Sequence, residues 1–255
     1  VEKARQWGMR CVHEAKMWKR NAYITLTYND VALPPGGTLV LRDVQLFMKR
    51  LRKSREPDTI RFFLGGEYGE TNGRPHYHAL LFNCGFPDML FHTANKRGEP
   101  LYTSKELDAL WQLGYASIGE VTFDSAVYCA KYALKKVTGD KAVDHYTVYD
   151  ENGECFERLP EFAVMSRRPG IGRGYYERFG NEVRAHDSVV IDGREVRPPK
   201  YYDDRSKAVD VEGFERHKRR RKRLAVLNKF DNTAERLAVK EKLLLIAADK
   251  KERKL

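Results

Sequence analysis

The sequence predicts an α+β fold: a central antiparallel sheet with helices packed on one side, continued by a basic helical extension. Three observations carry that expectation. Two apolar runs of strand character, residues 60–64 and 79–82, stand on either side of a turn-rich stretch. Helical stripes, with apolar residues three and four positions apart, alternate with such strands along the chain. Beyond residue 204 the composition turns cationic, with 17 Lys and Arg against 8 Asp and Glu in residues 205–255, a net +9 of the chain's +11.

Residues 2–19 read as a helix, with Ala4, Trp7, Cys11, Ala15 and Trp18 on one buried stripe. Because the chain opens with Val1 inside that pattern, the natural start is expected to lie upstream. Residues 22–28 alternate as a strand, Tyr23, Thr25 and Thr27 on one face and Ile24, Leu26 and Tyr28 on the other. The run Pro34-Pro35-Gly36-Gly37 breaks the chain. Asp43 then caps a helix whose Val44, Phe47, Met48 and Leu51 face inward, while Lys49, Arg50, Arg52 and Lys53 form a solvated face. Residues 60–64 and the histidine run pair through the turn Thr71-Asn72-Gly73-Arg74. An irregular stretch follows at 83–100, with His92 in a loop. Ser104 starts a short helix through Leu107, Leu110 and Trp111 that ends at Gly114, and residues 115–122 form a strand. Asp124 is expected to cap a helix over 126–137 with Val127, Ala130, Leu134 and Val137 buried. Segment 138–204 reads as turn-rich.

Two constellations carry chemistry. His76 and His78 alternate on one strand, so both imidazoles leave the same face about 7 Å apart at Cα. That spacing suits one divalent metal, and a carboxylate from Glu67 or Glu70 completes a donor set with open positions. Glu67 is the preferred third ligand because it sits on the strand and Glu70 in the turn. The second constellation lies on the helix that follows, where Tyr128, Lys131, Tyr132 and Lys135 are spaced as surface neighbours. Two phenols and two ammonium groups share that patch.

The bounds set by composition agree with a nucleic-acid partner. The 255 residues hold 47 Lys and Arg against 36 Asp and Glu, with an isoelectric point near 9.4, which favours an anionic ligand. Cys11, Cys84, Cys129 and Cys155 show no disulfide or Cys-x-x-Cys spacing, which points to a reducing cytosol. No apolar run reaches membrane-spanning length.

The motifs TLTY (residues 25–28), GEYGE followed by RPHYHALLF (66–82), YCAKY (128–132) with LKK, and SRRPGIGRGYY (166–176) together resemble the rolling-circle replication initiators of small isometric single-stranded DNA phages. Those belong to the HUH endonuclease superfamily. The resemblance runs from about residue 7 to about residue 202. It implies a ferredoxin- or RRM-like sheet within a nickase and ligase domain at 1–204, with the metal on the sheet and the tyrosine helix over it. It also implies a site-specific endonuclease and ligase that starts and ends rolling-circle replication through a 5′-phosphotyrosine intermediate. On that reading His76, His78 and Glu67 bind Mg2+ or Mn2+. Tyr128 and Tyr132 are the nucleophiles, and Lys131 supplies positive charge. The substrate is single-stranded DNA at a replication origin in the host cytoplasm, with the host helicase and DNA polymerase as partners.

DNA-backbone contacts are expected from Lys135, from Arg167, Arg168 and Arg173 of the glycine-rich loop, and from Lys218, Arg219, Arg220 and Arg221 of the basic helical tail at 205–255. The loop reads equally as an ordinary glycine-rich surface loop, and the tail as a solvated charged helix. A relaxase or single-tyrosine transposase, or a non-catalytic basic DNA-binding protein, are the competing functions. A histidine-triad nucleotide hydrolase is excluded because the third alternating position is Leu80.

Overall fold

In the computed structural model, residues 2–69, 72–95, 97–132 and 136–252 are described, apart from the side chains of Tyr132 and of residues 248–252. Glu70, Leu134 and Lys135 lie outside the described residues. The elements are α1 (Glu2–Ala15), β1 (Asn21–Tyr28), α2 (Leu41–Ser54), β2 (Arg61–Tyr68), β3 (Pro75–Phe82), β4 (Leu90–Ala94), β5 (Pro100–Thr103), α3 (Lys105–Trp111), β6 (Gly114–Gly119) and α4 (Phe123–Tyr132). They continue with α5 (Lys141–Tyr146), β7 (Thr147–Tyr149), β8 (Cys155–Glu157), β9 (Phe162–Met165), α6 (Arg173–His186), β10 (Val189–Ile191), β11 (Arg194–Val196), α7 (Lys200–Val209), α8 (Val211–Leu227) and α9 (Ala234–Glu252). Contacts divide the chain into two compact units, 1–92 with 101–178, and 93–100 with 179–255. The compositional boundary at 204/205 therefore falls inside α7, and the second unit begins at Phe179.

The α+β class holds, with a seven-stranded sheet in the order β4-β5-β6-β1-β3-β2-β9. All its registered pairs are antiparallel: β1 with β3 and β6, β2 with β3 and β9, and β5 with β6. One expectation is corrected: helices cover both faces, not one. Ile24, Leu26, Leu64, Tyr77, Ala79 and Leu81 bury against Val44, Phe47, Met48 and Leu51 of α2 and against Leu107 and Trp111 of α3. Phe63, Leu80 and Phe82 point the other way, into a second core with Ala4 and Cys11 of α1 and Ala126, Cys129 and Ala130 of α4. The unbroken apolar run at 79–82 is the sequence mark of a strand buried on both sides.

Local chemistry explains the boundaries. The Ser104 hydroxyl accepts from the Leu107 N–H at 3.1 Å and starts α3 as expected. α4 starts earlier than Asp124 predicts. Thr122 caps it in a reciprocal box, the Ser125 N–H donating to the Thr122 hydroxyl at 3.1 Å and the Thr122 N–H to the Ser125 hydroxyl at 2.8 Å. Asp43 lies in the first turn of α2 and accepts from the Tyr28 phenol at 2.6 Å. Gly8 brings α1 against α4, since a Cβ there would stand 2.5 Å from the Val127 side chain. Residues 83–100 and 138–204 hold more regular structure than expected, including the edge strand β9 and the fourteen-residue helix α6. Both are short or polar enough to lack a clear period.

Within the first unit, Glu14 is a buried anchor for the glycine-rich loop. It accepts from Arg61 Nε at 2.6 Å and from the Gly172 N–H at 2.7 Å, while Arg61 also donates to the Pro169 carbonyl at 2.8 Å. Nearby His13 is fully buried and stacks on Tyr175 with ring centroids 3.8 Å apart. In the second unit, α7 packs on α8 and β10 pairs with β11. Arg221 is held by two carboxylates, donating to Asp187 and, through both terminal nitrogens, to Asp203 at 2.7 and 2.8 Å. No helix among the described residues is long and apolar enough to cross a membrane.

Two expectations follow. Burial depresses the His13 pKa from its ordinary 6.5 to about 3. Between those values the unfolded chain binds a proton that the folded chain refuses, so stability falls as pH drops below 6.5. At pH 5 the loss from this residue is about 2 kcal/mol; melting curves at pH 7 and 5 should show it, and His13→Phe should reduce the difference. Arg221→Ala, which strands two carboxylates, should lower stability by about 3 kcal/mol, whereas Arg219→Ala should change it by less than about 0.5 kcal/mol. Equal effects of the two substitutions would contradict a structural role for Arg221.

Candidate active site

Strand pairing brings the site together. β3 runs between β1 and β2, with Thr25 and Gly65 opposite His78, and Thr27 and Glu67 opposite His76. His76 and His78 share the face that carries Leu80 and Phe82, the face covered by α4. Their rings are coplanar within 4° with centroids 6.5 Å apart. Gly65 has no side chain beside His78, and Glu67 reaches diagonally across to place Oε1 2.8 Å from His78 Nε2.

The partners fix the tautomers. As a carboxylate Glu67 only accepts, so His78 Nε2 carries the hydrogen. His78 Nδ1 is then an acceptor for the Tyr23 phenol at 2.8 Å and the Thr25 hydroxyl at 3.1 Å. Burial keeps this ring neutral, pushing its pKa down to about 3, and the same burial raises that of the Tyr23 phenol. At His76 the Arg74 carbonyl lies 2.6 Å from Nδ1, which must donate, so Nε2 presents its lone pair. Burial is also the main cause that lowers the His76 pKa.

Helix α4 brings the phenol. Ala126, Cys129 and Ala130 bury against the sheet, one position off the expected stripe of Val127 and Ala130. The Cys129 thiol donates to the His78 carbonyl at 3.2 Å, which ties the helix to the histidine strand. Tyr128 is half-buried, its ring edge-on to His78 with centroids 5.2 Å apart. Lys131 lies one turn further on the same helix. Tyr132 closes the helix, and its side chain, like Lys135 and the alternative ligand Glu70, is outside the described residues.

Other expected contacts fall elsewhere. Arg167 and Arg168 are exposed on the anchored loop, and Arg173 at the start of α6 pairs with Glu177 at 2.6 Å. Lys218, Arg219 and Arg220 are exposed on α8, whereas Arg221 faces the carboxylates already described. His92 sits on β4, beside a groove of about 300 Å³ that Thr25 and Thr27 also line. Sequence reasoning missed Tyr23 and Thr25. Their signal was present, since both lie on one face of the predicted strand next to the histidine strand.

The geometry stands alongside clear likenesses to known proteins. Residues 21–137 match a family model of replication-associated proteins of the ORF2 type. The chain is 32% identical over 213 residues to the replication-associated protein VP4 of Bdellovibrio phage phiMH2K, over 79% of this chain and 62% of that protein. It is 31% identical over 217 residues to the replication-associated protein ORF2 of Spiroplasma virus 4, over 80% of this chain and 64% of that protein. With the replication-associated protein ORF4 of Chlamydia phage 1 it shares 29% identity over 212 residues, 80% of this chain and 50% of that protein. The chain thus spans under two thirds of the length of the curated relatives it matches. No solved structure matches it.

The tautomers are open to measurement. At pH 7 without added metal, nitrogen-15 NMR should show the hydrogen on Nε2 of His78 and on Nδ1 of His76. Tyr23→Phe should shift the His78 Nδ1 resonance and cost about 1 kcal/mol, because one donor to a buried acceptor is lost. A hydrogen on Nδ1 of His78 would overturn the arrangement.

Proposed function

This chain is a relative of the phage replication-associated proteins, and we propose that it nicks and rejoins single-stranded DNA through a tyrosine ester to initiate and end replication. One observation carries the proposal: the Tyr128 ring lies against His78, on the face that also carries His76 and Glu67. A phenol beside two imidazoles and a carboxylate, under a helix bearing Lys131, is the equipment of phosphoryl transfer rather than of simple DNA retention.

The donor set of His76, His78 and Glu67 suits a divalent cation. As placed, Glu67 and His78 are closed on each other, and among the described residues no three such groups converge tightly enough to hold an ion. The chemistry of the donors fits Mg2+ or Mn2+ once that hydrogen bond opens, with two nitrogens favouring manganese. When bound, the cation supplies positive charge beside the scissile phosphate. Tyr23 and Thr25 keep hold of His78 Nδ1, so the ring keeps Nε2 directed toward Glu67.

In the transfer itself the Tyr128 oxygen attacks phosphorus and the DNA 3′-oxygen leaves, taking up a proton as the phenol gives one up. A 5′-phosphotyrosine and a free 3′-hydroxyl result, with the number of phosphate ester bonds unchanged. The reverse step therefore joins ends without ATP. Lys131 favours the phenolate and the approach of the phosphodiester. Tyr132, four residues on along α4, is the second nucleophile, so that one tyrosine holds the old 5′ end while the other cuts the regenerated junction. Arg167, Arg168, Lys218, Arg219 and Arg220 grip the DNA backbone without reading sequence. Host helicase and polymerase in the cytoplasm would use the exposed 3′-hydroxyl.

Incubation with single-stranded origin oligonucleotides and manganese, followed by a denaturing gel, tests this. A shifted covalent band is expected, weakened by Tyr128→Phe or Tyr132→Phe, absent from the double substitution and lost on chelation of the metal. An adduct that persists in the double substitution would sink the tyrosine assignment. Retention on a native gel alone would favour the reading as a non-catalytic DNA-binding protein.

A further inference from the structure

Next to the histidine pair the sheet opens. β5 pairs with β6 at Tyr102↔Ile118, while β6 pairs with β1 along its whole length from Gly114 to Gly119. Beside that bridge lies the groove of about 300 Å³, lined by Thr25, Thr27, His92, Thr103, Asp108, Tyr115, Ala116 and Ser117. Its lining differs from a phosphate site: it holds hydroxyls, an imidazole, a phenol and a carboxylate, and no Lys or Arg. Tyr115 is 70% exposed, a large ring left in solvent on a strand otherwise built into the sheet. The Asp108 carboxylate is held at the rim by a hydrogen bond from the Ala116 backbone.

Two residues belong to both places. Thr25 and Thr27 line the groove and stand opposite His78 and His76 in the β1–β3 register. Adjacent strands lie about 4.8 Å apart, so a nucleotide whose phosphate faces the histidines has its neighbouring base over β6. We propose that this groove is a nucleobase pocket. It takes the base flanking the scissile phosphate, stacks it on Tyr115, and offers Asp108 as the acceptor for an exocyclic amino group. An anionic acceptor at the rim favours cytosine, adenine and guanine over thymine, with cytosine N4 the best partner. Stacking on an exposed ring is tolerant of base identity, so Tyr115 contributes affinity and Asp108 contributes choice.

The inference rests on the single-stranded DNA reading above, and it is tested by binding alone. The full chain carrying Tyr128→Phe and Tyr132→Phe is titrated with fluorescent twelve-nucleotide oligo-dC, oligo-dA and oligo-dT, so cleavage does not enter the measurement. Adding Tyr115→Ala should weaken all three by about tenfold, the low to middle range for losing one base–aromatic stack, and Tyr115→Phe should restore most of it. Adding Asp108→Asn should reduce the ratio of oligo-dC to oligo-dT affinity while leaving oligo-dT binding nearly as before. Circular dichroism checks that each variant is folded, which the exposure of Tyr115 favours. Unchanged affinities with Tyr115→Ala, or an unchanged base ratio with Asp108→Asn, would overturn the pocket. The nickase reading is judged separately by the covalent band.

Discussion

The candidate site depends on one constraint: β3 is paired on both sides, and its register with β1 and β2 admits no slip. Shifting either pair by one residue would turn the histidines toward α2 and α3 and leave Tyr77 facing α4. Both faces of β3 are packed, so the hydrophobic cost of such a slip falls on Leu80 and Phe82 as well as on Tyr77 and Leu81. Tyr77 adds a polar lock, its phenol accepting from the Val40 N–H at 2.7 Å and meeting the Tyr28 phenol at 2.9 Å. The imidazoles are therefore aimed by the core behind them. Gly65 in the opposing strand then leaves the space through which Glu67 reaches His78.

Burial gives this site its electrostatic character. His78 is shielded enough to stay neutral, and its two ring nitrogens are engaged by Glu67 on one side and by Tyr23 and Thr25 on the other. A neutral imidazole and a carboxylate are the protonation states that a cation needs from its ligands. The site is thus prepared in charge but closed in shape. The hydrogen bond from Cys129 to the His78 carbonyl places α4 directly over the pair, and with it the Tyr128 ring.

Cationic composition and cationic surface are different things in this chain. A cation in a basic run is not automatically a ligand contact. Arg221 shares the composition of its exposed neighbours Lys218, Arg219 and Arg220, yet its guanidinium joins α8 to Asp187 and Asp203 within the second unit. Glu14 does the reverse for the glycine-rich loop of the first unit. It is an acid on α1, buried to anchor a segment whose own Arg167 and Arg168 remain outside.

The sequence by itself determined the α+β class, the strand that carries both histidines on one face, and the helix that carries Tyr128 with Lys131. Those features follow from periods of two and 3.6, which neighbouring residues alone can express. It also contained Tyr23 and Thr25 on one face of their strand, but nothing local says which strand lies beside which. Tertiary structure decided that β1 and β2 flank β3, that helices cover both faces of the sheet, and that Arg221 turns inward. It also set Thr122 rather than Asp124 at the start of α4, a matter of which hydroxyl meets which amide. Those outcomes depend on contacts between residues far apart in the chain, and one-dimensional spacing carries no information about partners at that distance.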